Sequence, residues 1–136
     1  MREFVDRALA LWDGIAAAQD DAVDRFREVY ADPVTVNGAL VPLSGMVDRA
    51  RAMGAAFTDR RTVIHEVVEG DGTLAFAFEI HALHTGPWPS TDGRAVEPTG
   101  RPIVVQGLDI FRFDDAGRVA SIWALNDLDT AVARSS

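Results

Sequence analysis

The chain has 136 residues, with 13 Lys plus Arg against 21 Asp plus Glu and a formal charge of −8. With 48% hydrophobic and 25% charged residues it reads as a single domain, residues 1–136, able to bury its own core and neither disordered nor collagen-like. A pI near 4.7 without any run of Lys or Arg argues against nucleic acid and anionic membranes as partners. The absence of Cys removes disulfides, thiolate nucleophiles, zinc fingers and iron–sulfur clusters.

The first element is an amphipathic helix from Glu3 to about Ala18, since Phe4, Ala8, Leu11, Trp12 and Ile15 recur at three- and four-residue steps. Its start, Met1-Arg2-Glu3-Phe4, lacks a signal-peptide core, and no stretch reaches the ~18 apolar residues of a membrane span, so a cytoplasmic protein is expected. Asp20-Asp21 is placed to cap a second helix with Val23, Phe26, Val29 and Tyr30 on one face, ending before Asp32-Pro33. Val34-Thr35-Val36 is a short strand, and Ser44-Gly45 opens a third helix carrying Met46, Val47, Ala50, Met53 and Phe57.

After Thr58 the period changes from 3.6 to 2. Thr62 to Glu69 is a strand, Gly70-Asp71-Gly72 a hairpin turn, and Thr73 to His84 a long strand. A proline-rich loop runs from Gly86-Pro87-Trp88-Pro89 to Pro98. Pro102 to Phe113 is the next strand, Asp114-Asp115-Ala116-Gly117 a turn, and Arg118 to about Asp127 the last strand, before a helical turn over Leu128 to Ala133.

Helices followed by a strand meander predict an α+β fold with the helices on one face of a curved antiparallel sheet. On the third long strand Val104, Leu108 and Ile110 oppose Val105, Phe111 and Phe113, so both faces are apolar. With too few helices to cover both, a homodimer through the sheet is expected.

Period 2 assigns inward sets Phe76, Phe78, Ile80, Ala82 and His84; Val105, Gly107, Asp109, Phe111 and Phe113; and Val119, Ser121, Trp123, Leu125 and Asp127. Two carboxylates thus fall on an apolar face, where an unpartnered charge costs several kcal/mol or neutralises by a raised pKa. Asp109 is mid-strand, where β propensity disfavours Asp; a structural hydrogen-bond network is the competing explanation. Asp127 sits at a strand end, where Asn126-Asp127 would equally cap the following turn. His84 is a candidate acid, base or orienting group, although a lone His is more often structural. Trp12, Phe76, Phe78, Phe111 and Trp123 are expected to line a small-molecule pocket, or simply to fill a core. The three His are scattered and no phosphate loop or dinucleotide fingerprint is present, so neither a metal nor another cofactor is implied.

Four stretches carry a family likeness: His84-Thr85-Gly86-Pro87; Pro98-Thr99-Gly100-Arg101-Pro102; Asp109-Ile110-Phe111-Arg112-Phe113 with Gly117-Arg118-Val119; and Trp123 followed four residues later by Asp127. Together with Tyr30-Ala31-Asp32-Pro33 they resemble the SnoaL-like polyketide and ester cyclases of the nuclear-transport-factor-2-like superfamily. The resemblance implies a helix-lined, cone-shaped barrel of antiparallel sheet with an interior pocket. It also implies that Asp127 is the general base of an intramolecular aldol closure, assisted by Asn37, Asp109 and His84. Leu74-Ala75-Phe76-Ala77-Phe78 and Leu108 to Phe113 also look like ketosteroid isomerase, in which an Asp at the place of Asp109 stays protonated and donates to an oxyanion. That enzyme's base would fall at Gly38 and its phenol donor near Trp12, so neither is retained.

The leading expectation is therefore a cofactor-independent cyclase of secondary metabolism acting on an apolar, carbonyl-containing small molecule through Asp127. The alternatives are an isomerase or epoxide hydrolase using the Asp109–Asp127 pair, and a non-catalytic binding module.

Overall fold

A computed structural model describes residues 1–89 and 93–135. Helices α1 (Arg2–Ala10) and α2 (Ala22–Arg27) come first, then strands β1 (Tyr30–Val36) and β2 (Ala39–Val41) and helix α3 (Leu43–Ala56). The long strands β3 (Phe57–Gly70) and β4 (Thr73–His84) follow, then a ribbon of β5 (Trp88–Pro89) with β6 (Ala95–Val96), strands β7 (Pro102–Phe113) and β8 (Val119–Asn126), and helix α4 (Leu128–Ser135). Residues 90–92 of the expected proline-rich loop lie outside the described residues. No helix among the described residues is long and apolar enough to cross a membrane.

The helices and strands form an α+β fold with a six-stranded sheet in the order β2-β1-β8-β7-β4-β3. Two expectations are corrected here. The sheet is mixed, because β1 lies parallel to β8, and it is open, because its edge strands β2 and β3 do not pair. The cone is completed by helices instead: Val5 and Ala8 of α1, Phe26 of α2 and Val47 of α3 join Phe76, Phe111 and Val119 of the sheet in one buried cluster. Phe26 is fully buried there, and truncating such a ring costs about 3–5 kcal/mol. A second cluster joins Phe57, Ala82, Trp88 and Ile103 to Leu128 and Val132 of α4.

Local chemistry explains where the elements begin and end. The first helix stops at Ala10 rather than Ala18, because Gly14 adopts φ 92° and the Asp13 carboxylate accepts the Ile15 N–H at 2.8 Å, starting a new turn that leaves Ile15 exposed. Asp21 stands at the N-cap of α2, yet its side chain bonds Arg25 and not the backbone. Helix α2 ends early, so Tyr30 opens β1 instead of continuing a helical face. Helix α3 begins at Leu43, whose N–H is accepted by Asp32 at 3.1 Å. Asn37-Gly38, with φ 50° and 87°, makes a two-residue hairpin between β1 and β2.

Two bulges set which side chains face inward. In β3 the pairing shifts between Thr58 and Arg61, with Asp59 at φ 54°, so that Phe57 and Arg60 both reach the inner face. In β8, Phe113 pairs with Val119 but Arg112 pairs with Ser121, leaving Ala120 as an extra residue. The parity of β8 therefore inverts: Val119 and Ile122 are buried, Ala124 and Asn126 continue inward, and Trp123 and Leu125 face outward, 51% and 68% exposed. The expected inward set Ser121, Trp123, Leu125 and Asp127 is overturned by that single residue.

Candidate active site

Between α3 and the inner face of the sheet lies a cavity of about 360 Å³. Its walls are mainly apolar, with Phe78 and Ile80 from β4, Val105 and Phe111 from β7, and Met46 and Met53 from α3. Gly107 makes room for the Phe78 ring of that lining. A Cβ there would collide with the Phe78 ring, so only glycine admits that ring against β7.

Asp109 is the one carboxylate lining this cavity among the described residues. It sits in the regular part of β7, opposite Phe76 of β4 and Ala124 of β8. Burial in these surroundings pushes its carboxyl up to about 7, since nothing nearby offsets the desolvation of the charge. At neutral pH the group is thus divided between acid and base.

Tyr30, at the start of β1, adds a phenol to the same wall. Trp12 Nε1 donates to the Tyr30 hydroxyl oxygen at 3.1 Å, leaving the phenolic hydrogen free for another acceptor. Burial holds the phenol well above its ordinary range; the Trp12 bond lowers it and the Asp109 charge raises it again. Tyr30 is therefore a neutral donor at any physiological pH. The isomerase comparison expected no phenol donor, but one is present, supplied by β1 and not by the first helix.

Two guanidinium groups also line the cavity. Arg60 donates to the Trp12 carbonyl; burial lowers its pKa, and Asp13 partly restores it. Arg49 of α3 is exposed and lies 4.5 Å from the centre of the Trp88 ring. Thr62 and Asn126 add neutral polar groups to the same lining.

The other expected site residues fall in different places. Trp12, Phe78, Phe111 and Asn37 do line the cavity. The Asn37 amide, however, is engaged with the backbone of Ala124, donating at 3.1 Å and accepting at 2.8 Å, so it joins β1 to β8. Phe76 packs edge-on against Phe111 at 5.0 Å within the core, behind the cavity wall. Trp123 points outward. Asp127 accepts the Gln106 N–H at 2.7 Å and caps the start of α4, with the Ala131 N–H on its carbonyl at 2.8 Å. Its carboxylate extends the β7–β8 ladder and does not line the cavity, so Asp109 and Asp127 do not form a pair there. His84 is wholly buried 5.4 Å from the Phe57 ring, neither of its nitrogens has a hydrogen-bond partner among the described residues, and it too lies outside the cavity lining.

Tyr30, Arg49, Arg60, Thr62 and Asn126 had not been expected at a site. Tyr30 is the chain's single Tyr and directly precedes Ala31-Asp32-Pro33, which could have marked it as more than a helix-face residue. Arg60 left no periodic signal, because a bulge turns it inward.

Comparison with known proteins agrees with this architecture. The profile of the SnoaL-like polyketide cyclase family matches residues 4–133. Among solved structures, the chain is similar to a SnoaL-like polyketide cyclase from Agrobacterium tumefaciens, with 22% identity, TM-score 0.69, and 96% of this chain and 95% of that one covered. It is also similar to TsrD from Streptomyces laurentii, with 19% identity, TM-score 0.72, and coverage of 99% and 96%. An NTF2-like protein of unknown function from Exiguobacterium sp. has 19% identity, TM-score 0.61, and coverage of 91% and 98%. None of the curated proteins matches the chain.

Proposed function

We propose that this chain, which belongs to the SnoaL-like polyketide cyclase family, is a cofactor-independent cyclase whose general base is Asp109. The observation that carries the assignment is the carboxyl of Asp109, held near pKa 7 in an apolar cavity with a neutral phenol in the same wall. A base whose pKa lies near the working pH combines a useful ionised fraction with a useful driving force for proton transfer.

In this reading the ionised Asp109 takes a proton from carbon adjacent to a substrate carbonyl. The electron pair moves onto the carbonyl oxygen as an enolate, which the Tyr30 hydroxyl stabilises by a hydrogen bond. The enolate carbon then attacks a second carbonyl of the same molecule, one carbon–carbon bond forms, and the new alkoxide recovers the proton from Asp109. The product is an isomer of the substrate, and enzyme and proton balance are restored. The apolar walls and the cavity volume suit a polyketide-type substrate with one or two rings.

The test is a panel of enolisable aromatic β-keto esters that carry a second carbonyl, followed by chromatography and mass spectrometry. The wild type is expected to yield a ring-closed isomer and Asp109→Asn to yield none. Equal turnover by the two proteins would overturn the assignment, and tight retention of unaltered compound by both would indicate a binding module instead.

A further inference from the structure

The chemistry at Asp109 and Tyr30 leaves Arg49 without a role. Its guanidinium lies on the Trp88 face, and no carboxylate among the described residues forms an ion pair with it. The Asp129 carboxylate accepts the indole N–H of the same Trp88 at 3.3 Å. A guanidinium stacked on an aromatic ring uses its face and keeps its edge of N–H donors available, the geometry suited to a planar carboxylate. Trp88 is fully buried and so fixes the plane on which Arg49 rests. Arg60, the other cation of the wall, is already committed to the Trp12 carbonyl and the field of Asp13.

Arg49 and Asp109 belong to different parts of the cavity. Trp88 packs in the second core cluster with Ile103 and Leu128, whereas Asp109 is two residues from Phe111 of the first. Ile103, Val105 and Asp109 line successive stretches of β7, and the six residue steps from Ile103 to Asp109 span about 20 Å of strand. Arg49 is exposed and Asp109 is largely buried, so the cation is at the mouth and the carboxyl is inside. Asn126 lines the same cavity with its amide oxygen taken by the Leu128 N–H at 3.1 Å, which leaves its NH₂ as a further donor.

We infer that the substrate carries a carboxylate at the end remote from its reacting carbon, and that Arg49 is the specificity-determining residue that binds it at the cavity mouth. This rests on the reading of the cavity as a substrate site. It narrows the substrate class to an aromatic or polyketide-type acid that enters with its apolar body first.

The experiment compares 2-naphthoate with methyl 2-naphthoate by isothermal titration calorimetry at low salt, using wild type, Arg49→Gln and Arg49→Lys. Wild type should bind the acid at least about tenfold more tightly than the ester, as expected of a charge-assisted bidentate contact. Arg49→Gln should lose that preference, binding acid and ester about equally, and Arg49→Lys should keep part of it. Unchanged acid binding by Arg49→Gln, or equal binding of acid and ester by wild type, would overturn the inference while leaving the role of Asp109 intact. Failure of both compounds to bind wild type would bring down the reading of the cavity, and this inference with it.

Discussion

Trp12 Nε1–H donates to the Tyr30 hydroxyl oxygen at 3.1 Å, which leaves the phenolic hydrogen free for an acceptor in the cavity that Tyr30 and Asp109 both line. Tyr30→Phe removes the proposed oxyanion donor and orphans the indole N–H. Turnover should fall by roughly 10²–10³ with little change in KM, as when one preorganised donor is lost. Stability should drop by about 1–3 kcal/mol, because a partly buried donor is left unpaired. Steady-state kinetics and denaturant unfolding check the two effects separately.

Asp109 links function to pH-dependent stability. Its native pKa of about 7 exceeds the ordinary 3.8, so between those values the native state binds more protons than the unfolded chain. Wild type should therefore be most stable below about pH 4 with respect to this group, lose stability as pH rises toward 7, and level off above it. Asp109→Asn should lack this loss and be more stable above pH 7, by on the order of 4 kcal/mol at most. Denaturant titrations of both proteins from pH 4 to 8.5 test the sign.

Asp127 has a structural assignment, and its variants should behave accordingly. Asp127→Asn retains an acceptor for the Gln106 N–H and should keep near wild-type turnover. Asp127→Ala should cost about 1 kcal/mol of stability through the lost acceptor for the Gln106 N–H. Thermal melts and kinetics on the two variants separate this role from a catalytic one.

His84 is fully buried beside Phe57, with two ring nitrogens that have no hydrogen-bond partner among the described residues. An apolar residue of similar size removes that desolvation penalty, so His84→Leu should be neutral or stabilising by up to about 2 kcal/mol. A marked loss of stability in chemical unfolding would contradict this placement.

On the outer face of the sheet, Leu108 pairs with Leu125 and Ile110 with Trp123, and Leu108, Leu125 and Trp123 are 45%, 68% and 51% exposed. Covering this face with a second copy predicts a dimer mass in multi-angle light scattering and a monomer for Leu125→Glu. A wild-type monomer at high concentration would contradict the dimer.

Strands β4 and β7 could be read from the sequence to the residue, because unbroken alternation runs between Gly-containing turns and prolines. The inward position of Asp109 was visible for the same reason: β7 carries no irregularity before it, so counting by two keeps its parity. The inward placement of Trp123 and Asp127 fails because the extra residue at Ala120 inverts the parity of β8, and a bulge leaves no mark in a hydrophobic pattern. The early end of α1 depended on the backbone of Gly14, and Arg49 on an α3 face that tertiary packing selects. The Asn37-Gly38 hairpin carried a readable turn signal, but the role of Asn37 in tying β1 to β8 depends on contacts distant in sequence.

Exchange of the substrate's α-proton tests the role of Asp109 most directly, because it does not depend on ring closure. An enolisable aromatic β-keto ester in D₂O would be followed by proton NMR from pH 5 to 9 with wild type, Asp109→Asn and Asp127→Asn. Enzyme-dependent exchange is expected to rise through about pH 7 for wild type and Asp127→Asn, with none above background for Asp109→Asn. Exchange that survives in Asp109→Asn but disappears in Asp127→Asn would contradict that role.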